Sequence, residues 1–540
     1  MIFIYAILLG AHTVGTSALI KPYVFEAPDL NITEALIKNG VDVSAIPVLS
    51  GLNKWTSSIS SCEIACSSLE TIYGDLRILS RNSSAYHNFT SAYWSAQQGA
   101  IQPYCVFKPF NALDVSNVVL LSRLINCPFA VKGGGHAAFG GASSIQGGIT
   151  VTMENLNQIS VSSDKKTVDV GPGNRWVDVY TTLEPFGIGV AGARMAPVGV
   201  PGLILGGGIN FFANKIGWAC DNVASYEVVT ASGVIVTATP TKHSDLYWAL
   251  RGGGSNFGIV TNFELEAFPL GKMWGGQRIY IESSFTAVLD AIYDFATIKS
   301  SQDTDAAEII SFSYAPSLGR IGIAQLDYAQ PVANASIFRD WNSIGHIQST
   351  TDIHTLAELT IMMNQGMTDG LRQTQWDVTF KIDRDLFTFL VNTFYAELPA
   401  VQDATSFFPS ISIQPITAGQ LRNMQEKGGN ALGLDSSAGP YFVMNMSARW
   451  ANMSDDTRIL AFFSTVIRKV KAEAQNKGLD NAYIYMNYAS QFQDPVNSYG
   501  AANVKKLKAV SAKYDPASVF INLMPGHFKL GKGAPNQTML

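Results

Sequence analysis

Three glycine triplets fall within about 120 residues of chain, at Gly133-Gly134-Gly135, Gly206-Gly207-Gly208 and Gly252-Gly253-Gly254, each after an apolar stretch. Glycine loses more backbone freedom on folding than any other residue, so a triplet is costly to order unless the fold needs it. Three in one region point to backbone brought close to something bulky and anionic, with bare amides turned toward it. The first runs Val131-Lys132-Gly133-Gly134-Gly135-His136 and so ends in a histidine, a group that can bond or ligate at the rim of such a loop.

At 540 residues the chain has room for two or three domains, and 47% hydrophobic against 15% charged residues describes a globular protein with a large core. A net charge of −5 argues against a nucleic-acid partner, which requires a basic face. Residues 2–11 are apolar and lead to Thr16-Ser17-Ala18, the pattern of a signal peptide over residues 1–18, so the expected location is the secretory pathway or beyond it. Seven N-x-S/T sequons agree with secretion, at Asn31, Asn82, Asn88, Asn334, Asn445, Asn452 and Asn536. The uncharged stretch 195–213 holds five glycines and two prolines and reads as buried loop and strand, not as a membrane span. Five cysteines, Cys62, Cys66, Cys105, Cys127 and Cys220, leave at least one thiol unpaired within the chain. Cys62 and Cys66 stand one helical turn apart, and one of them could reach Cys105; the pairing stays open. No histidine pair stands at ligand spacing near them, so no metal site is expected.

From about Pro103 a regular α/β pattern begins. Asn111 and Asp114 are placed to cap a helix carrying Val115, Val118, Val119 and Ile125. A short strand, Phe129-Ala130-Val131, runs into the first triplet, and 148–153 alternates as another. Residues 159–170 and 226–238 read as hairpins turning at Asp164-Lys165 and Ser232-Gly233. Helices follow over 176–183 and 244–250, then a strand over 257–268. After about Gly271 glycine thins out. Strands over 278–281, 308–314, 321–328, 411–416 and 441–450 alternate with longer helices over 285–298 and 384–395, as in a second α+β domain. Gly187-Ile188-Gly189-Val190-Ala191-Gly192 spells G-x-G-x-x-G but follows a helix and precedes Pro197 and Pro201, so it is not a dinucleotide fingerprint.

The segment from Pro103-Tyr104-Cys105 to His136 resembles the FAD-binding domain of the vanillyl-alcohol oxidase and p-cresol methylhydroxylase (PCMH) superfamily, and is most similar to the berberine bridge enzyme-like family in its fungal branch. The resemblance continues through Gly192-Ala193-Arg194-Met195-Ala196-Pro197-Val198-Gly199-Val200-Pro201-Gly202, Gly217-Trp218-Ala219-Cys220-Asp221-Asn222 and Arg251-Gly252-Gly253-Gly254-Ser255-Asn256-Phe257-Gly258-Ile259-Val260. It ends with Tyr485-Met486-Asn487-Tyr488 and Tyr514-Asp515-Pro516. It implies an α+β fold of two domains. A PCMH-type FAD domain spans 99–271 and takes back 481–530, and an antiparallel-sheet substrate domain with helices on one side spans 272–480. A lead-in over 19–98, described by its sequence as helical, and a tail over 531–540 complete the chain.

The resemblance further implies that FAD is bonded covalently to His136. Cofactor contacts are expected from Lys132, Gly133, Gly134, Gly135, Gly140, Val198, Gly199, Gly202, Gly206, Gly207, Asp221, Asn222, Gly258, Ile259, Val260 and Asn487. Many members add a cysteinyl link at the position of Met195, whose thioether cannot form it, so a single link is expected. Val198 falls at the family's gate over the flavin, and its small side chain favours oxygen as the second substrate. Pro201 and Leu203 depart from residues common in the family. Tyr488 is the expected base, with Tyr485 as second choice; an ordinary tyrosine has a pKa of about 10 and needs help near neutral pH. The implied reaction is hydride transfer from a small organic molecule to flavin, with O2 reduced to H2O2. The substrate is a secondary metabolite or, alternatively, a carbohydrate, and a non-catalytic flavin-fold binding protein is the remaining reading.

Overall fold

The structure, a computed structural model, describes residues 25–46 and 60–536. The signal-peptide expectation lies outside the described residues. Among them, no helix is long and apolar enough to cross a membrane.

Three sheets organise the chain. The first is small: β1 (Ile78–Ser80), β2 (Cys105–Phe107), β3 (Phe129–Lys132) and β4 (Ile149–Thr152) lie in the order β1-β2-β4-β3, with β2 and β3 both parallel to β4. The crossover between β2 and β3 is the helix Ala112–Ile125, whose first turn is capped as its sequence suggests: Asn111 Oδ1 accepts from the Asp114 amide at 3.0 Å. The strand β1 belongs to the lead-in expected to be helical. Three residues at a sheet edge show no period that a sequence reading can detect.

The second sheet joins β5 (Ile159–Val161), β6 (Thr167–Val170), β8 (Val223–Val229), β9 (Ile235–Ala238) and β10 (Ile259–Pro269), with β7 (Ile188–Val190) on the far end of β10. Lys165 and Gly233 adopt positive φ at the two hairpin turns. Gly192, the last glycine of the rejected fingerprint, serves packing: a Cβ there would lie 2.1 Å from the Trp176 ring. One expectation fails in this region. The stretch 195–213 forms a helix, Val200–Leu205, with flanking loops, and no strand. Pro201 sits in its first turn, where a missing N–H costs nothing.

The third sheet has nine strands, ordered β14-β11-β13-β12-β17-β18-β16-β19, with β15 also on β11. They are β11 (Met273–Ile281), β12 (Ala306–Ala315), β13 (Gly319–Tyr328), β14 (Gln348–Ser349), β15 (Asp352–His354), β16 (Arg372–Lys381), β17 (Phe408–Ile416), β18 (Tyr441–Trp450) and β19 (Asp480–Asn481). Their pairings are antiparallel throughout. Alternate side chains on a strand face opposite ways. Ile310, Phe312, Ile411, Ile413, Met444 and Met446 pack into one core with the helices Phe285–Thr297, Arg384–Glu397 and Asp456–Asn476. Their neighbours Ile309, Ser311, Ser412, Gln414, Asn445 and Ser447 line a cavity on the other face.

Two disulfides, Cys62–Cys127 and Cys66–Cys105, tie the helix Ser61–Tyr73 to β2 and to the turn before β3. Loop separations of 65 and 39 residues correspond to about 4 kcal/mol each in the chain-entropy picture. Cys220 is the free thiol among the described residues, and it is buried.

Asp327 on β13 is 2% exposed and accepts a hydrogen bond from Gln325 Nε2 at 2.7 Å; burial pushes its carboxyl up to about 8. The unfolded value is about 3.9, so the folded protein keeps a proton that the unfolded chain releases. Stability therefore falls as pH rises through the window from about 4 to about 8, by at most ~1.4 kcal/mol per unit. An Asp327→Asn protein is expected to gain about 3 kcal/mol on the parent between about pH 5 and about pH 7.5. Urea melts at the two pH values check this; a constant difference would show that Asp327 is ionised in the folded state.

Candidate active site

A cavity of about 450 Å³ lies between the first two sheets and the third. Its floor is built from Gly133, Gly134, Gly135, Gly199, Gly202 and Gly206. The backbones of two of these loops touch: a Cβ on Gly134 would lie 2.5 Å from the Gly199 nitrogen, and one on Gly199 would lie 2.3 Å from the Gly134 nitrogen. No side chain fits at either position. Gly134→Ala is expected to cost about 3 kcal/mol of stability through this overlap. Thermal melts and flavin content measure it, and an unchanged melting temperature would mean that the loops can part freely.

His136 stands at one side of the floor. Its ring stacks on Trp94 at 4.2 Å between centroids and 12° between planes, which fixes its orientation. Its Nε2 is buried with no hydrogen-bond partner, which is unusual for a polar atom in a folded protein. Burial holds its pKa down at about 4, so the ring is neutral at physiological pH.

Tyr488 lines the same cavity. Arg194 Nη2 donates to its hydroxyl oxygen at 2.5 Å, and that hydroxyl donates to Gln414 Oε1 at 3.2 Å. Arg194 Nη2 also donates to Gln414 Oε1, at 3.1 Å. A guanidinium aimed at a phenol oxygen is the assistance that a tyrosine acting as a base requires, and neither Arg194 nor Gln414 was singled out from the sequence. Their signal was weak: Arg194 sits inside a family motif and Gln414 in an ordinary strand.

Of the residues expected to touch the cofactor, Gly133, Gly134, Gly135, His136, Val198, Gly199, Gly202, Gly206, Gly258, Ile259, Val260 and Asn487 come together on this cavity, as do Tyr485 and Tyr488. Five do not line it. Lys132 turns away and places its ammonium 4.7 Å from the Phe89 ring and 5.1 Å from that of Tyr93. Gly140 is at the surface, and Gly207 backs onto Trp218. Asp221 is buried in an ion pair with Arg251 at 3.0 Å and accepts from the Trp218 amide and from Asn430, so its oxygens are already engaged. Asn222 donates to the Ile216 and Trp218 carbonyls and accepts from Lys427. Both stiffen the turn beneath the floor.

Tyr485 is corrected as well. Its hydroxyl oxygen accepts from the Gly208 and Ile209 amides and from Asn487 Nδ2, at 3.0–3.2 Å. Burial pushes its pKa well above the ordinary value. Its oxygen pins the second glycine triplet, an arrangement that holds backbone in place. Asn445 is withdrawn as a glycosylation site: it lies in the middle of β18, is 9% exposed and lines the cavity, where no glycan fits. The other six asparagines are exposed.

These residues fit a flavin. The glycine floor admits a flat group carrying a diphosphate, and the unpartnered His136 Nε2 lies at its side. The class so defined is that of flavin-dependent oxidoreductases.

Residues 103–239 match the family described as FAD binding domain. The chain is 38% identical to the FAD-dependent monooxygenase tpcD of Cochliobolus heterostrophus, covering 82% of this chain and 87% of that one. It is 36% identical to the FAD-dependent monooxygenase FUP4 of Fusarium proliferatum over the same shares. The chain belongs to this family of FAD-linked oxidoreductases. Its fold is that of berberine bridge enzyme from Eschscholzia californica, with a TM-score of 0.69 and 17% identity over 84% of this chain and 97% of that one.

Proposed function

We propose that this protein oxidises a small secondary metabolite, taking a hydride from a carbon that bears a hydroxyl or an acidic C–H. The observation that carries the reading is the Arg194–Tyr488–Gln414 cluster, standing in one cavity with the glycine floor and His136. Bound flavin supplies the two-electron acceptor and the means of passing electrons to O2. Tyr488 is the group that takes the substrate proton, and Arg194 donates to its oxygen. His136 tethers the cofactor by one bond, with Met195 where a second link would stand. Val198 leaves room for O2 to enter, and H2O2 is the second product. The FAD-binding part is residues 99–271 with 481–530, and 272–480 roofs the substrate.

The roof mixes Ile309, Ile323, Met363 and Met367 with polar side chains such as Gln277 and Ser311, and its lack of an aromatic platform among the described residues supports a metabolite over a sugar. Two disulfides and six exposed sequons support passage through the oxidising secretory pathway. The relatives' name, FAD-dependent monooxygenase, favours a second reading, in which an oxygen atom enters the product.

Turnover under 18O2 separates the two. Peroxide formed in step with product, and product without label, is the expected result; labelled product would replace the oxidase reading with the monooxygenase one.

A further inference from the structure

The cavity above Tyr488 holds one cation and, among the described residues that line it, no carboxylate. Among the described residues that line it, Arg194 is the one that carries a fixed charge; the roof around it offers only neutral groups such as Gln277, Ser311, Gln375 and Ser412. Arg194 pairs with no carboxylate among the described residues, and its hydrogen bonds to Tyr488 and Gln414 both leave from Nη2. Its Nε and Nη1 donate to no acceptor there. A guanidinium is a rigid planar fork that matches two coplanar oxygens.

Gln414 supplies an independent second observation. It is 3% exposed, and its Oε1 accepts from Arg194 and from Tyr488. Those two donors fix which way the amide points, because a nitrogen could not accept from either. Its Nε2 is thereby left buried in the cavity wall with no partner. Buried donors in native proteins are nearly always satisfied, so this one is aimed at a ligand acceptor. Arg194 and Gln414 adjoin, and both present unused N–H groups.

We propose that Arg194 and Gln414 recognise a planar, anionic oxygen pair on the substrate, a carboxylate or the enolate of a 1,3-dicarbonyl, and hold it beside Tyr488. The substrate class of the reaction is therefore an organic acid in this broad sense. The inference rests on the reading of this cavity as the substrate site.

Calorimetric titration of the purified holoenzyme tests this with two matched pairs of probes at neutral pH. One pair is benzoate and benzamide; the other is 4-hydroxycoumarin, an enolate at that pH, and its neutral 4-methoxy ether. At least one anion is expected to bind about tenfold more tightly than its neutral partner, and the pair that discriminates tells carboxylate from enolate. Arg194→Gln should bring the ratio within about twofold. Gln414→Glu should do the same by pairing off the guanidinium, and it covers the case in which the first variant fails to fold. Equal binding within both pairs by the parent protein, or a preference retained in Arg194→Gln, overturns the proposal. Tyr488→Phe separates this inference from the reading beneath it. Anion preference kept while turnover is lost supports both, whereas full turnover in that variant removes the base assignment and leaves the calorimetric result standing.

Discussion

A His136→Ala protein is expected to give a colourless pellet after acid precipitation, where the parent gives a yellow one. The parent imidazole has what a tether needs. Its ring is held in one orientation by Trp94, its Nε2 engages no protein group, and burial keeps it uncharged at physiological pH. A protonated ring could not form a bond to carbon, and one hydrogen-bonded elsewhere would have to break that contact first. Alanine removes the nucleophile and leaves the glycine floor intact, so any flavin that remains is held by contacts alone and stays in the supernatant. With Met195 in place of a cysteine, no second bond can retain it. The absorption spectrum of pellet and supernatant, and flavin fluorescence in a denaturing gel, measure the effect. A yellow pellet from the variant, or a colourless one from the parent, would refute the tether.

Tyr488→Phe should lower turnover by about 10²- to 10⁴-fold, the usual contribution of a general base, while leaving flavin content and melting temperature near those of the parent. The substitution removes one oxygen and keeps the ring, which meets Tyr485 edge-on at 4.9 Å. The rate of anaerobic flavin bleaching on mixing with substrate isolates the proton-coupled step from reoxidation. Tyr485→Phe makes the contrast. It strips an acceptor from the Gly208 and Ile209 amides, so it should lower stability and flavin content together. If the two variants behave alike, the division of labour between the tyrosines is wrong.

Local signals carry much of the architecture. The hairpins at Lys165 and Gly233, the Asn111 cap and the strand entering the first triplet all depend on residues within a few positions of each other, and such patterns are legible in a sequence. The floor of the site was legible for the same reason, since glycines that must approach a ligand are marked by their rarity elsewhere. What escaped was long-range. Arg194 meets Gln414 and Tyr488 across more than two hundred positions, and nothing local in a strand distinguishes Gln414 from any other outward-facing polar residue. Asp221 and Asn222 misled in the opposite direction. They lie within a motif of a flavin family, yet their side chains are consumed by Arg251 and by the turn they stiffen. Asn445 spells a sequon with Ser447, yet both residues line the cavity.

The strand β3 and the loop after the third glycine triplet are both held by residues made very late. The Phe129 amide donates to the Leu523 carbonyl, Asn256 Nδ2 donates to the Phe528 carbonyl, and Lys529 Nζ donates to the Ser255 carbonyl and hydroxyl. Met524, His527 and Phe528 from the same segment form part of the cavity wall. During vectorial synthesis the glycine floor therefore emerges hundreds of residues before its own side wall, and the polypeptide must wait with that region open. The cavity wall is therefore completed only when the last part of the chain has emerged, and a polypeptide ending ahead of Leu523 lacks Met524, His527 and Phe528 from it.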